Sequence, residues 1–147
     1  PDAPGQLTSD HGWDMTTQFA QVDSICQQIN AMGVRSAIFL DPEVEQVELA
    51  AKSSAQRIEL YTEEYANHWH TPQHDTVLAN YRAAAVKAQE LGLGVNAGHD
   101  LDSQNLADFL TIPNILEVSI GHVLTIECIE RGMTDVIAEY LAICRSN

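Results

Sequence analysis

The sequence predicts an α/β protein built as half of a TIM (β/α)8 barrel, four parallel strands with helices outside. Three observations lead there. Four short strand-like runs are each followed by a helical pattern, and strands alternating with helices of this length form a parallel sheet with right-handed crossovers. Two of those runs, Arg57-Ile58-Glu59-Leu60-Tyr61 and Glu117-Val118-Ser119-Ile120, alternate polar and apolar residues. An open doubly wound sheet also fits the element order, but its central strands are buried on both faces and should be apolar throughout. Alternation instead suits strands whose apolar face meets helices while Glu59, Tyr61, Glu117 and Ser119 point into a polar barrel interior. Finally, two runs close on the same pair, Gly98-His99 and Gly121-His122. In parallel α/β folds the C-terminal strand tips are where ligands sit, so both imidazoles are expected at one mouth.

The elements follow in order. Residues 1–14 are rich in Pro and Gly and read as a loop, as expected of the C-terminal portion of a longer protein, with 1–147 as a single partial barrel domain. Over 15–32, Phe19, Val22, Cys26 and Ile29 recur three and four apart, and Gly33 stops the helix. A strand follows over 34–40. Asp41-Pro42 then reads as N-cap and first helical residue, with Val44, Val47 and Ala51 as the buried stripe and an end near Ser53-Ser54. After the strand at 57–62, a loop over 67–72 opens a long helix to Leu91, with Val77, Tyr81, Ala84, Ala88 and Leu91 on one face and Gly92 ending it. The third strand carries Gly98-His99, a weak helical stretch covers 103–110, and Pro113-Asn114 introduces the fourth strand. A last helix over 134–145 turns Ile137, Tyr140, Leu141 and Cys144 inward.

With 147 residues and 45% hydrophobic content the chain can bury one ordinary core. Seven basic residues against 21 acidic ones give a formal charge of −14, which argues against nucleic acid and anionic membrane as partners, since both need a cationic face. Cys26, Cys128 and Cys144 are odd in number and lack any paired spacing, as expected of thiols in a reducing compartment. With no bilayer-length apolar run and no leader pattern, the cytoplasm is the expected location.

The chemistry concentrates at the Gly-His tips. Glycine before the histidine lets the main chain turn sharply and lets a ligand approach it. After Gly121-His122 the helical pattern of 123–129 begins, so its first amides can bind an anion such as phosphate without any lysine or arginine. A rival cluster is His68, His70 and His74 with Asp75, whose imidazoles could hold zinc with an open position, as in a zinc-dependent hydrolase. Pro72 interrupts its local geometry. A third reading is a non-catalytic half-barrel that serves as an assembly module, because raw sheet edges must pair with something.

Val95-Asn96-Ala97-Gly98-His99 and Glu117-Val118-Ser119-Ile120-Gly121-His122 resemble the signature of the pyridoxine 5'-phosphate synthase family. The likeness extends to Leu7-Thr8-Ser9-Asp10-His11-Gly12-Trp13-Asp14, Ile38-Phe39-Leu40-Asp41 and Ile58-Glu59-Leu60-Tyr61-Thr62, in order over essentially the whole chain. It implies a TIM barrel of which this chain supplies strands five to eight, the C-terminal half, with residues 1–14 as the loop following a missing strand four. The implied reaction condenses 1-deoxy-D-xylulose 5-phosphate with 3-amino-2-oxopropyl phosphate to pyridoxine 5'-phosphate, phosphate and water, with no metal or organic cofactor. By motif, His99 resembles the proton donor, Asp100 a contact to the amino-ketone phosphate, and Gly121 and His122 the phosphate-binding pair; Gly98 is expected among the substrate-binding residues beside them. A series of dehydrations and a ring closure is a series of proton transfers, which a histidine near neutral pKa can carry in both directions.

Departures from the family pattern bear on the loops. Asp100 stands where the commoner pattern has Gly, the commoner Thr-Thr-Glu-Gly-Gly reads Thr8-Ser9-Asp10-His11-Gly12, and the Thr-Gly after strand six reads Thr62-Glu63. The family's general-base His and Glu and its sugar-phosphate arginines belong to strands one to three. The resemblance therefore implies that this chain is inactive alone. Its expected partners are phosphorylated small molecules, a complementing N-terminal half, and further copies in a homo-oligomer, an octamer in the family.

Overall fold

The computed structural model describes residues 1–2 and 4–146. Its framework is a four-stranded, all-parallel sheet in the order β1 (Ala37–Leu40), β2 (Arg57–Tyr61), β3 (Gly94–Gly98), β4 (Ile115–Ser119). Helix α1 (Met15–Ala31) precedes β1, and between and after the strands come α2 (Val44–Ala50), α3 (Glu63–His68), α4 (His74–Glu90), α5 (Leu106–Phe109), α6 (His122–Arg131) and α7 (Met133–Arg145). Sequential strands pairing in parallel, with helices in the crossovers, make this a partial (β/α)8 barrel.

Register divides the sheet into two faces. Ile38 pairs with Ile58 and Ile58 with Val95; Leu40 pairs with Leu60 and Leu60 with Ala97. These six are buried, and they pack on α1, α2 and α4 through residues such as Val22, Val47, Tyr81 and Ala84. The opposite face carries Arg57, Glu59, Asn96, Glu117 and Ser119, also aligned by register. Arg57 donates to Asn96 Oδ1 (2.9 Å) and Glu117 Oε2 (3.1 Å), and Arg35 reaches the same carboxylate (2.9 Å). The alternation seen in the sequence is thus an apolar face under helices and a polar face toward the barrel interior.

Local chemistry explains the boundaries. Asp14 caps α1 by accepting from Thr16 N at 2.9 Å and Thr17 Oγ1 at 2.6 Å. These hydrogen bonds to the ionised form hold its carboxyl down at about 2. Gly33 and Gly92 adopt φ +75° and +85°, the left-handed turn that closes α1 and α4 where a side chain would be strained.

Several expectations are corrected. Asp41 is not an N-cap: α2 begins at Val44 behind Glu43, and the Asp41 carboxylate accepts from the Gly12 amide instead (3.2 and 3.3 Å). Val44 is exposed and Ala51 half-buried, so the inward stripe of α2 is Val47 and Ala50. Helix α3 forms where the sequence reads strand exit and loop. Leu91 is exposed, because α4 ends at Glu90 just before it. The stretch at 103–110 is helical only over α5; before it, Asp102 and Asn105 exchange side-chain-to-backbone hydrogen bonds that favour a turn. On α7 the inward residues are Val136 and Tyr140; Ile137, Leu141 and Cys144 face outward. No helix among the described residues is long and apolar enough to cross a membrane.

Candidate active site

The C-terminal tips of β2, β3 and β4 surround a cavity of about 790 Å³. His99, Asp100, Gly121 and His122 line it, together with Glu59, Tyr61, Glu63 and Ser119 and the Thr8-Ser9 segment. Both histidines therefore open on one concavity, although their tips are not equivalent; Gly98, expected to bind substrate, is buried and does not line it, because the Glu59 carboxylate and Ser119 O close over it. His99 follows β3 directly, whereas β4 ends at Ser119 and His122 is already the first residue of α6.

His99 is held in a conformation that few side chains accept. Its φ is +79° and that of Asp100 is +50°, the left-handed region where a Cβ crowds the main chain. Thr62, fully buried at the end of β2, fixes this turn: its amide and its hydroxyl both donate to Gly98 O (3.0 and 2.7 Å), and the hydroxyl also contacts His99 O. Asp is among the few residues that tolerate a left-handed φ, which accounts for Asp100 at a position that the commoner pattern gives to Gly. Its carboxylate is exposed at the cavity rim.

Gly98 serves a different purpose. A Cβ built there would lie 2.5 Å from Glu59 Oε1 and 3.2 Å from Ser119 O, so glycine is what lets the Glu59 carboxylate reach across β3. Glu59 accepts from Ser119 Oγ at 3.1 Å. Burial pushes its carboxyl above the usual carboxylate range, opposed by the Ser119 hydrogen bond and by the proximity of His99. The alternation of β2 predicts Glu59 on the polar face; its place beside His99 follows only from the pairing of β2 with β3 in register.

At the other side, Gly121 occupies the N-cap position of α6 without any side-chain cap. The first amides of a helix have no partner within it, so those after Gly121 keep their donors for a ligand at the cavity wall. A Cβ at Gly121 would meet nothing within 4 Å, so the glycine leaves open approach rather than filling a tight contact. No lysine or arginine is among the lining residues.

The loop before α1 forms another wall. Gly12 lies against β1, where a Cβ would come within 2.4 Å of Asp41 N and 2.5 Å of Leu40 Cα. Trp13 N donates to Phe39 O at 2.8 Å and its ring packs on the core. Trp13 thus anchors this loop to β1 and the core.

The zinc-site expectation is overturned. His68 Nδ1 bonds Glu64 O (2.8 Å), His70 packs on the Trp69 ring, and His74 lies between Trp69 and Tyr65 with Nε2 3.1 Å from Asp108 Oδ2, without the alignment of a hydrogen bond. His68 turns back to its own helix while His70 and His74 pack on Trp69, so the three rings do not converge on one point. Among the described residues no group of three or more His, Cys, Asp or Glu is arranged to hold a metal ion.

A family model described as pyridoxal phosphate biosynthesis protein PdxJ matches residues 1–146. The chain belongs to the PdxJ family. Curated relatives of this PdxJ-family chain carry the name pyridoxine 5'-phosphate synthase. That of Xanthomonas axonopodis pv. citri is 44% identical over 147 residues, 99% of this chain and 58% of the relative. That of Parabacteroides distasonis is 42% identical over 147 residues, 99% of this chain and 61% of the relative. That of Albidiferax ferrireducens is 42% identical over 142 residues, 96% and 56% respectively. The chain thus spans a little over half the length of the relatives it matches.

Proposed function

We propose that this PdxJ-family chain contributes the C-terminal half of a pyridoxine 5'-phosphate synthase active site. The reaction is the condensation of 1-deoxy-D-xylulose 5-phosphate with 3-amino-2-oxopropyl phosphate to pyridoxine 5'-phosphate, phosphate and water. The observation that carries the reading is that His99 and the uncapped start of α6 line one cavity. A phosphorylated substrate held by the amides after Gly121, with His122 beside it, brings its carbon skeleton toward the His99 imidazole. His99 then donates and recovers protons through the dehydrations, and the Glu59 carboxylate, close enough to interact with it electrostatically, stabilises the imidazolium. Gly98 keeps Glu59 within reach, and Asp100 contacts the amino-ketone phosphate from the rim.

The remaining general base and the sugar-phosphate cations are supplied by a complementing N-terminal half that closes the barrel over the polar face, in a homo-oligomer located in the cytoplasm. The test is product formation by the chain alone, by the chain with the N-terminal half of a relative, and by the same pair carrying His99→Gln. The reading expects turnover only in the complemented wild-type pair. Equal turnover with His99→Gln refutes it. The non-catalytic assembly module is favoured by one observation, the unpaired outer edges of β1 and β4 in the sheet; it expects complex formation without turnover in any arm.

A further inference from the structure

An imidazole at a strand tip turns about two side-chain bonds unless something packs against it, and a proton donor needs one orientation. Two rings supply that packing for His99. Phe39 lies 5.3 Å away between centroids, and Tyr61 lies 5.1 Å away with the planes at 88°. Phe39 and Tyr61 are themselves 5.2 Å apart, so the three rings close a triangle over the tips of β1, β2 and β3. The edge-on contact of Tyr61 with His99 is favourable beyond simple burial; the two Phe39 contacts are tilted.

Phe39 holds its place by packing alone, whereas Tyr61 has a polar handle. Its hydroxyl proton is shared between Glu63 Oε2 at 2.7 Å and Ser9 O at 3.2 Å. Glu63 begins α3, and Ser9 belongs to the loop that walls the cavity, so the ring against His99 is tied to two separate segments. Burial, then Glu63, Asp100 and Asp10, hold the phenol proton well above its ordinary range, which keeps Tyr61 a neutral donor. Thr62 meanwhile fixes only the main chain of the turn. Backbone and ring are thus secured by neighbouring residues of one strand end.

We infer that Tyr61 is a positioning residue for His99, itself locked by Glu63 and the Ser9 carbonyl, so that the cavity-wall loop and the start of α3 set the direction of the imidazole. The inference rests on the proposed role of His99 in proton transfer.

The experiment uses the full chain, complemented for turnover, with nitrogen-15-labelled histidine and His99→Gln to assign the ring resonances. Tyr61→Leu removes the ring wall, and Tyr61→Phe keeps the ring but loses both hydrogen bonds. The expected result is a displaced His99 ring signal in both variants, larger in Tyr61→Leu, while those of His68, His70 and His74 stay in place. Turnover falls about tenfold in Tyr61→Phe and about a hundredfold in Tyr61→Leu with KM within about twofold, the pattern of lost orientation rather than lost binding. If Tyr61→Leu fails to fold, Tyr61→Phe, one oxygen smaller, carries the test. An unmoved His99 signal with unchanged kcat in Tyr61→Phe overturns the inference. If His99→Gln is inactive while no Tyr61 variant moves the ring, the inference falls and the proposed function stands. If His99→Gln turns over normally, the reading beneath it falls and takes the inference with it.

Discussion

Gly98→Ala isolates the contact between Glu59 and the β3 tip. The added Cβ meets Glu59 Oε1 at 2.5 Å, Glu59 Cδ at 3.1 Å and Ser119 O at 3.2 Å. The carboxylate must retreat by roughly 1 Å to reach ordinary contact, while the main chain of β4 yields only a few tenths, so the strain falls mostly on a movable side chain. Overpacking of this kind costs about 1 kcal/mol, the low end of its range, because Glu59 can rotate away. For a domain of this size that is a loss of about 2–4 °C in Tm. The functional cost should be larger, since displacing a group that acts on the His99 proton by about 1 Å is worth up to about a hundredfold in rate. Calorimetry and steady-state kinetics of the complemented chain, read side by side, separate the two. A Gly98→Ala protein with wild-type kcat and an intact Glu59 to Ser119 contact would refute the placement of Glu59 in the site.

Four other outcomes are expected. Thr62→Val keeps the buried shape but removes the hydroxyl that serves Gly98 O and His99 O; Gly98 O keeps the Thr62 amide, so the cost is that of a lost hydrogen bond, about 0.5–1.5 kcal/mol, measured as a lower denaturant midpoint with an unchanged m value. Gly12→Ala brings a Cβ against main-chain atoms of Leu40 and Asp41 that cannot rotate aside, so it frees the cavity-wall loop and accelerates proteolysis within residues 6–12 while the sheet stays folded. Glu59→Gln stabilises the fold at neutral pH: the folded carboxyl titrates above its unfolded value of 4.5, so wild type loses stability as pH rises through the folded pKa, and the advantage of Gln vanishes below about pH 4 in a pH series of unfolding curves. Asp14 behaves oppositely; its carboxyl is held at about 2 when folded against 3.8 unfolded, so the cap is fully effective above about pH 5 and is lost as pH falls through about 2, and Asp14→Ala should lower Tm clearly at pH 7 and much less at pH 2.

Much of this fold can be read from periodicity. The alternation of Arg57-Ile58-Glu59-Leu60-Tyr61 survives folding as two chemically distinct faces, because strand side chains alternate whatever the sheet order. What does not survive is local punctuation overridden by tertiary contacts. Asp41-Pro42 has the chemistry of a helix start, yet Asp41 accepts instead from Gly12, distant in sequence and brought close by packing that no local pattern encodes. On α7, Ile137 and Leu141 form as good an apolar stripe as Val136 and Tyr140 do, and only the neighbouring α6 and α5 decide which side turns inward. His68, His70 and His74 look like a ligand set along the chain because spacing carries no angle; in the fold His68 turns back to Glu64 O while His70 and His74 pack on Trp69, so the rings do not converge. The same limit hides Glu59 and Tyr61 from sequence reasoning about His99, since their approach depends on β2 and β3 being neighbours in register.

The central claim is that His99 and the first amides of α6 address one anionic ligand in one cavity. Titrating the full chain with inorganic phosphate, while following backbone amide and histidine ring signals together, tests it most directly. The amides of His122 and Val123 and the ring of His99 should move with a single shared saturation, and His99→Gln should leave the amide response in place. Phosphate that saturates the α6 amides without disturbing His99, or that binds first near His68 and His74, would contradict the account.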